Sequence, residues 1–288
     1  MRLVFLGTPE MAVPPLRAVV DAGHDVELVV TRPDRRRGRG ASTSPSPVAA
    51  AARALGLRVS HDVDDVVAAG AELGVVVAYG RLISERVLQA VPMVNIHFSL
   101  LPRWRGAAPV ERALLAGDAE TGVSLMAVER ELDAGAVYTR RTLPIGPRAT
   151  AAELRAELVV MGTAMLVDLL GGPLPDPQPQ QGEVTYAVKL DADDLLLDWG
   201  APASDLDLVV RVGGAWTTWR GERIKVVSAV PVDVSGPPGT LADARAGTIP
   251  AGDGGLRLDV VQPAGRAAMT WTAFANGARP VTGERLGQ

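Results

Sequence analysis

A short apolar run, Arg2 to Leu6, stops at Gly7 and is followed by a segment of helical length from about Pro9 to Ala22 and by a β-branched run, Val26 to Thr31. The alternation continues. It predicts a helix around Pro47 to Leu55, a helix over Asp64 to Leu73, an uninterrupted apolar strand from Gly74 to Tyr79, a helix near Glu85 to Ala90 and a strand from Met93 to Phe98. Strands that are apolar throughout, separated by helices, predict an α/β unit built on a mostly parallel sheet covered on both faces. A helix over Ala107 to Ala116, two strands around Gly122 to Val128 and Ala136 to Leu143, and a long helix from about Thr150 to Leu170 complete this part.

The long helix ends at Gly171-Gly172. In the following GGPLPDPQPQQGE, Pro173, Pro175, Pro177 and Pro179 alternate with other residues, which forbids helix and favours an extended, semi-rigid connector. Three parts follow: a first domain over 1–172, a Pro-rich linker and connector over 173–200, and a second domain over 201–288. In the last, strand-like runs such as Arg223 to Val230 and Leu256 to Val261 lie between Gly and Pro turns, with one helix at Ala203 to Val212. That spacing predicts a small β-barrel of the sort that often handles oligonucleotides.

Composition narrows the setting. Hydrophobic residues make up 47% of the 288 positions, enough for a sizeable core. Cysteine is absent, which excludes disulfides, thiolate chemistry and the common zinc sites and fits a reducing, cytoplasmic setting. The first apolar run is too short for a signal peptide or a membrane span, so no membrane partner is expected. Net charge is only −4, and no global excess announces nucleic acid, but a local basic patch can still act.

Chemistry concentrates in one stretch, Asn95-Ile-His-Phe-Ser-Leu-Leu-Pro-Arg-Trp-Arg-Gly-Ala-Ala-Pro109. Side chains alternate along a strand, so Asn95 and His97 share one face near the strand's carboxyl end, the edge at which open α/β sheets bind ligands. An amide NH2 and an imidazole held together can both donate to an oxygen that gains negative charge during attack on a carbonyl. A His used in this way needs a carboxylate to fix its tautomer and to stabilise its protonated form. Asp133, in the turn-like Glu131-Leu-Asp-Ala-Gly135, can supply it. No Ser or Cys nucleophile lies beside them, so the attacking group would belong to a substrate. Spacing alone equally allows Asn95 and His97 to satisfy buried backbone groups and Asp133 to cap a turn.

The same stretch resembles the signature of the folate-dependent formyltransferases: Asn-x-His, then Ser-Leu-Leu-Pro, then Arg-Gly, with a downstream Asp-x-Gly at Asp133. FLGTPE, TRPDRRRGRG, SPSPV, VVVAYG, AGDAETGVSL, VTYAVKL, DW and NGARP follow the family in order along nearly the whole chain. The resemblance implies a Rossmann-like catalytic domain joined to a C-terminal OB-like β-barrel that binds tRNA. It implies 10-formyltetrahydrofolate as formyl donor, the free α-amine of methionine on initiator tRNA as acceptor, and no metal. Residue by residue, Asn95, His97 and Asp133 would be catalytic, and Ser99, Leu100, Leu101 and Pro102 would contact the folate, whose pocket Tyr79 and Gly80 would help to line. A monomer is expected. Phe98 stands where the family more often has a small residue or Pro, and RVGGAWTTW from Arg211 lacks the Pro-containing aromatic run often found there.

Two further features discriminate among functions. Gly7-Thr8-Pro9 lacks the repeated glycines of a dinucleotide fingerprint, so no NAD site is expected. Arg32-Pro-Asp-Arg-Arg-Arg-Gly-Arg-Gly40 carries five Arg against one Asp and leaves the second strand at the same edge as the candidate site. Such a loop is either a solvated surface or a grip on phosphates. The resemblance makes Arg35, Arg36, Arg37 and Arg39 tRNA contacts, with Arg39, between two glycines, the base reader. An amino-sugar nucleotide N-formyltransferase is the alternative, but a small sugar nucleotide does not need this loop. A glycinamide ribonucleotide formyltransferase would not need the second domain, and a binder without catalysis would not need Asn95, His97 and Asp133 together.

Overall fold

The computed structural model of the chain describes residues 1–36 and 43–288. In chain order the strands of the first half are β1 (Arg2–Gly7), β2 (Asp25–Val30), β3 (Arg35–Arg36), β4 (Thr43–Ser44), β5 (Val59–Ser60), β6 (Leu73–Val77), β7 (Met93–His97), β8 (Arg105–Gly106), β9 (Glu120–Ala127) and β10 (Val137–Pro144). The helices α1 (Val13–Asp21), α2 (Pro47–Ala54), α3 (Glu85–Ala90), α4 (Pro109–Leu115) and α5 (Ala151–Leu170) fall among and after them. Beyond α5 come β11 (Tyr186–Ala187), α6 (Ala203–Val212), β12 (Trp216–Trp219), β13 (Glu222–Val232), β14 (Thr248–Pro250), β15 (Gly255–Pro263), β16 (Met269–Thr270) and α7 (Trp271–Ala278).

Seven strands form one sheet in the order β10-β9-β7-β6-β1-β2-β5. The five from β7 to β5 are parallel, and β9 and β10 run antiparallel to their neighbours. Leu3 to Leu6 and Val75 to Val77 are buried, as strands covered on both faces require. After β1 the chain builds outward through β2 and β5, then returns to the other side of β1 to lay down β6 and β7. The order therefore reverses between β1 and β6, and ligands of such sheets sit beyond the carboxyl ends of the strands at that reversal. β7, which ends at His97, lies next to β6.

Two local details support β7. Thr150 and Glu153 form a reciprocal cap at the start of α5: the Glu153 carboxylate accepts from the Thr150 N–H at 2.9 Å, and the Thr150 hydroxyl accepts from the Glu153 N–H at 3.3 Å. Further along, Gly162 lets α5 approach the sheet, since a Cβ there would stand 2.8 Å from Ile96 Cγ2. Ile96 points away from the face shared by Asn95 and His97, so the helix backs the strand that carries them.

The segment expected as a helix over Asp64 to Leu73 is instead a 3₁₀ turn, Val63–Ala68, followed by a reversal at Gly70 and the start of β6 at Leu73. The Asp62 carboxylate accepts from Asp64 N at 3.0 Å and starts the turn, and Gly70, at φ 69°, ends it. The apolar spacing that reads as helical belongs partly to the strand.

Residues group into two compact units, one of Met1–Val110, Ala119–Ile145 and Leu154–Val188, the other of Glu111–Asp118, Gly146–Glu153 and Lys189–Gln288. The second unit holds an antiparallel sheet in the order β12-β13-β15-β14, with β16 added on β15. Register breaks between Val226 and Ala229 curl it into a half-barrel, the OB-like form expected from the sequence. Its core combines Leu206 and Val210 of α6 with Ile224, Val226, Leu256, Leu258, Trp199 and Trp271. Arg148 and Arg211 both bind the buried Asp207 carboxylate, at 2.6 and 2.9 Å. Arg112 grips Asp194 with two bonds of 2.8 Å, which hold that carboxyl below its usual range.

Candidate active site

β7 delivers its two polar side chains to one face because neighbours fix its register. Asn95 lies between Val76 of β6 and Met126 of β9, and His97 pairs with Ser124. Beyond His97 the chain is tied down at once. The Ser99 hydroxyl donates to Arg103 O at 2.6 Å, while the Ser124 hydroxyl donates to Ser99 O at 2.7 Å and accepts from Leu101 N at 3.1 Å. The Leu101–Pro102 peptide is cis, and Arg140 donates to Leu101 O at 3.2 Å.

This turn sets the ring of His97. Trp104 is held at φ 63°, a left-handed conformation that an aromatic residue rarely adopts, while its N–H donates to Thr185 Oγ1 at 2.9 Å. Its carbonyl lies 2.9 Å from His97 Nε2. A carbonyl can only accept, so Nε2 carries the hydrogen and Nδ1 is the nitrogen free to exchange a proton. Nδ1 lies 3.6 Å from Asp133 Oδ2. Asp133 thus lies beside Nδ1, while the Trp104 carbonyl, at the other ring nitrogen, fixes the tautomer.

Asp133 sits at φ 50°, and its Oδ2 accepts from Gly106 N at 2.8 Å. That N–H is available because β8 pairs with β11 through its flanking residues, Arg105 N to Thr185 O and Ala107 N to Ala187 O. Gly106 itself, at φ 121°, lies so close to β11 that a Cβ would stand 2.8 Å from Ala187 O. Gly135 closes the turn, and any side chain there would collide with the Ala127 carbonyl. The structure thus brings His97 and Asp133 together with side chains 6% and 13% exposed, and Asn95 shares the strand face of His97.

The residues expected to meet folate differ in exposure and in partners. Ser99 and Leu101 are fully buried, and the Ser99 hydroxyl is engaged within the turn. Leu100 is half-buried and packs against Gly122, and Pro102 is buried near Gly182. The Tyr79 ring belongs to an apolar cluster with Val4, Leu6, Val30, Val76 and Val87, burial pushes its phenol above the usual range against the opposing effect of Arg81, and its carbonyl accepts from the Thr8 hydroxyl at 3.2 Å. The Gly80 carbonyl accepts from Arg32 at 2.8 Å. Arg35 and Arg36 form β3, paired antiparallel with β4, while Arg37 and Arg39 lie outside the described residues.

Three groups that touch His97 or the Asp133 turn carry no signal that singles them out in the sequence: the Trp104 carbonyl, the Gly106 N–H and the side chain of Gln180, which donates to Asp133 O and Gly135 O. The first two are backbone groups without a side-chain signature. Among the described residues, no group of three His, Asp or Glu is placed to hold a metal ion, and no helix is long and apolar enough to cross a membrane.

Comparison with known proteins matches this architecture. Residues 1–170 fit the family model described as Formyl transferase, and residues 189–279 fit Formyl transferase, C-terminal domain. The methionyl-tRNA formyltransferase of Roseobacter denitrificans is 43% identical over 295 residues, covering 96% of this chain and 96% of its own. That of Acidiphilium cryptum is 43% identical over 303 residues, covering 100% of both chains. Among solved structures, HypX from Aquifex aeolicus, in complex with tetrahydrofolic acid, is similar in fold, with a TM-score of 0.69 over 99% of this chain and 48% of its own at 18% identity. With both domain models matched and relatives this similar along its whole length, the chain belongs to the formyl transferase family.

Proposed function

We propose that the chain transfers the formyl group of 10-formyltetrahydrofolate to the free α-amine of methionine esterified to initiator tRNA, giving formylmethionyl-tRNA for translation initiation in the cytoplasm, and that it acts as a monomer. The observation that carries the choice of acceptor is the similarity along the full chain to relatives named for it, at 43% identity. The arrangement of Asn95, His97 and Asp133 supports the chemistry.

The cosubstrate supplies an electrophilic formyl carbon and a leaving nitrogen. Asn95, through its amide NH2, and His97, through Nδ1–H when protonated, donate to the formyl oxygen as the amine adds and negative charge gathers there. Asp133 takes the proton released by the amine, directly or through water, and the Nδ1 proton of His97 passes to the departing folate nitrogen as the carbon–nitrogen bond breaks. The Trp104 carbonyl keeps the ring from flipping throughout, because a flip would lose its bond to Nε2. The donor and acceptor atoms at this edge fit a transfer in which one oxygen gains charge and one nitrogen loses a proton.

The test offers the protein 10-formyltetrahydrofolate with methionyl initiator tRNA and, separately, with amino-sugar nucleotides. Formylation of the tRNA alone is expected. Formylation of a sugar nucleotide instead overturns the assignment of acceptor.

The Arg-rich loop adds a second expectation. Phosphate contacts weaken binding to all RNA when lost, whereas a base contact changes discrimination. Arg35→Ala, Arg36→Ala and Arg37→Ala are each expected to raise the KM for tRNA modestly. Arg39→Ala is expected to erase much of the preference for an initiator acceptor stem with a weak first pair over one with a closed first pair, a contact worth about 1 to 3 kcal/mol. The ratio of kcat/KM for the two stems at fixed salt decides it. An unchanged ratio makes the loop an electrostatic handle only.

A further inference from the structure

Gln180 lies in the Pro-rich stretch after α5, where the composition speaks only of a connector. That stretch is stitched to the turn that carries Asp133. Gln178 exchanges two backbone hydrogen bonds of 2.8 Å with Val137 at the start of β10. Two residues further on, Gln180 Nε2 donates to Asp133 O and to Gly135 O, both at 2.8 Å. Its Oε1 accepts from Arg105 Nε at 3.1 Å and from Arg105 Nη2 at 2.8 Å. Both amide hydrogens and both lone pairs of the carbonyl oxygen are therefore used. Arg105 is only 8% exposed, and its Nη1 donates to Glu131 Oε1 at 3.2 Å, at the head of the same turn.

We propose that Gln180 is a positioning residue for Asp133: its amide, oriented by the Arg105 guanidinium, fixes the left-handed turn that sets the carboxylate against His97 Nδ1 and Gly106 N. Three observations converge. Asp133 sits at φ 50°, in the left-handed region that few non-glycine residues enter, Asp more readily than most. The two carbonyls that flank Ala134 need donors, and Gln180 supplies both from one side chain. Arg105 and Gly106 are consecutive, so the residue that orients Gln180 is covalently adjacent to the N–H that holds Asp133 Oδ2. This role rests on the proposed formyl transfer for its effect on rate, and on geometry alone for its effect on the turn.

The test uses the full-length protein with Gln180→Ala and Gln180→Glu. The second variant keeps the length and the acceptor for Arg105 but sets a carboxylate oxygen against two carbonyls. Both are expected to lower kcat roughly ten- to a hundred-fold while leaving KM for tRNA and for the formyl donor within about a factor of two, the pattern of a displaced catalytic group. Amide hydrogen exchange, measured without substrates, is expected to speed at Gly106, whose N–H is held by Asp133, and to stay unchanged in β1 and β6. Unaltered kcat in Gln180→Glu overturns the proposal, as does exchange that speeds equally throughout the sheet, the mark of a general packing role. If the wild-type protein formylates no tRNA, the acceptor assignment fails, while exchange at Gly106 still decides whether Gln180 sets the turn.

Discussion

His97→Ala is expected to lower kcat for formyl transfer by about a hundred- to a thousand-fold, the loss measured when one donor to a developing oxyanion is removed. The reason is specific to the geometry. With Nε2 committed to the Trp104 carbonyl, Nδ1, 3.6 Å from Asp133 Oδ2, is the ring atom able to give or take a proton. KM for tRNA should hardly change, because the ring is buried and not part of the basic loop. The variant also removes the Nε2 bond to the Trp104 carbonyl, so rates belong at a temperature where unfolding curves show it folded. Turnover like that of the wild type under saturating substrates would remove His97 from the chemistry.

Asp133→Asn should lower kcat by about a hundred-fold or more, within the range that a positioned acid or base contributes. This substitution isolates charge from shape. Asn is among the residues that tolerate φ near +50°, and its amide oxygen can still accept from Gly106 N, so the turn held by Gln180 should persist. What disappears is the negative charge beside Nδ1 and the ability to take the amine's proton. Thermal melting close to the wild type together with the rate loss is the expected pair of results. A kcat within about three-fold of the wild type would show that the carboxylate only shapes the loop.

The sequence made the chemistry of β7 legible because a strand's period of two is rigid: once Met93 to Phe98 reads as a strand, Asn95 and His97 must share a face. The helical period of 3.6 likewise reads α6 at Ala203 to Val212, where the apolar periodicity is undisturbed by a neighbouring strand. It fails at Asp64 to Leu73, where a 3₁₀ turn and the head of β6 share one apolar run. The position of Tyr79 just after β6 does not say where its ring goes, and the structure buries the ring in a cluster with Val4, Leu6 and Val30. Trp104 and Gly106 act through backbone atoms, which any sequence possesses, and Gln180 is concealed by prolines that mark an extended path without saying what the path crosses.

The proposed transfer needs His97 to work through Nδ1 with its tautomer fixed by the backbone. The ¹⁵N chemical shifts of its ring, in protein labelled at histidine and held at a pH where the imidazole is neutral, test this directly. A protonated Nε2 and a bare Nδ1 are expected, with the Nε2–H resonance lost or shifted when the loop after Ser99 is perturbed. A neutral ring carrying its hydrogen on Nδ1, with Nε2 bare, would contradict it.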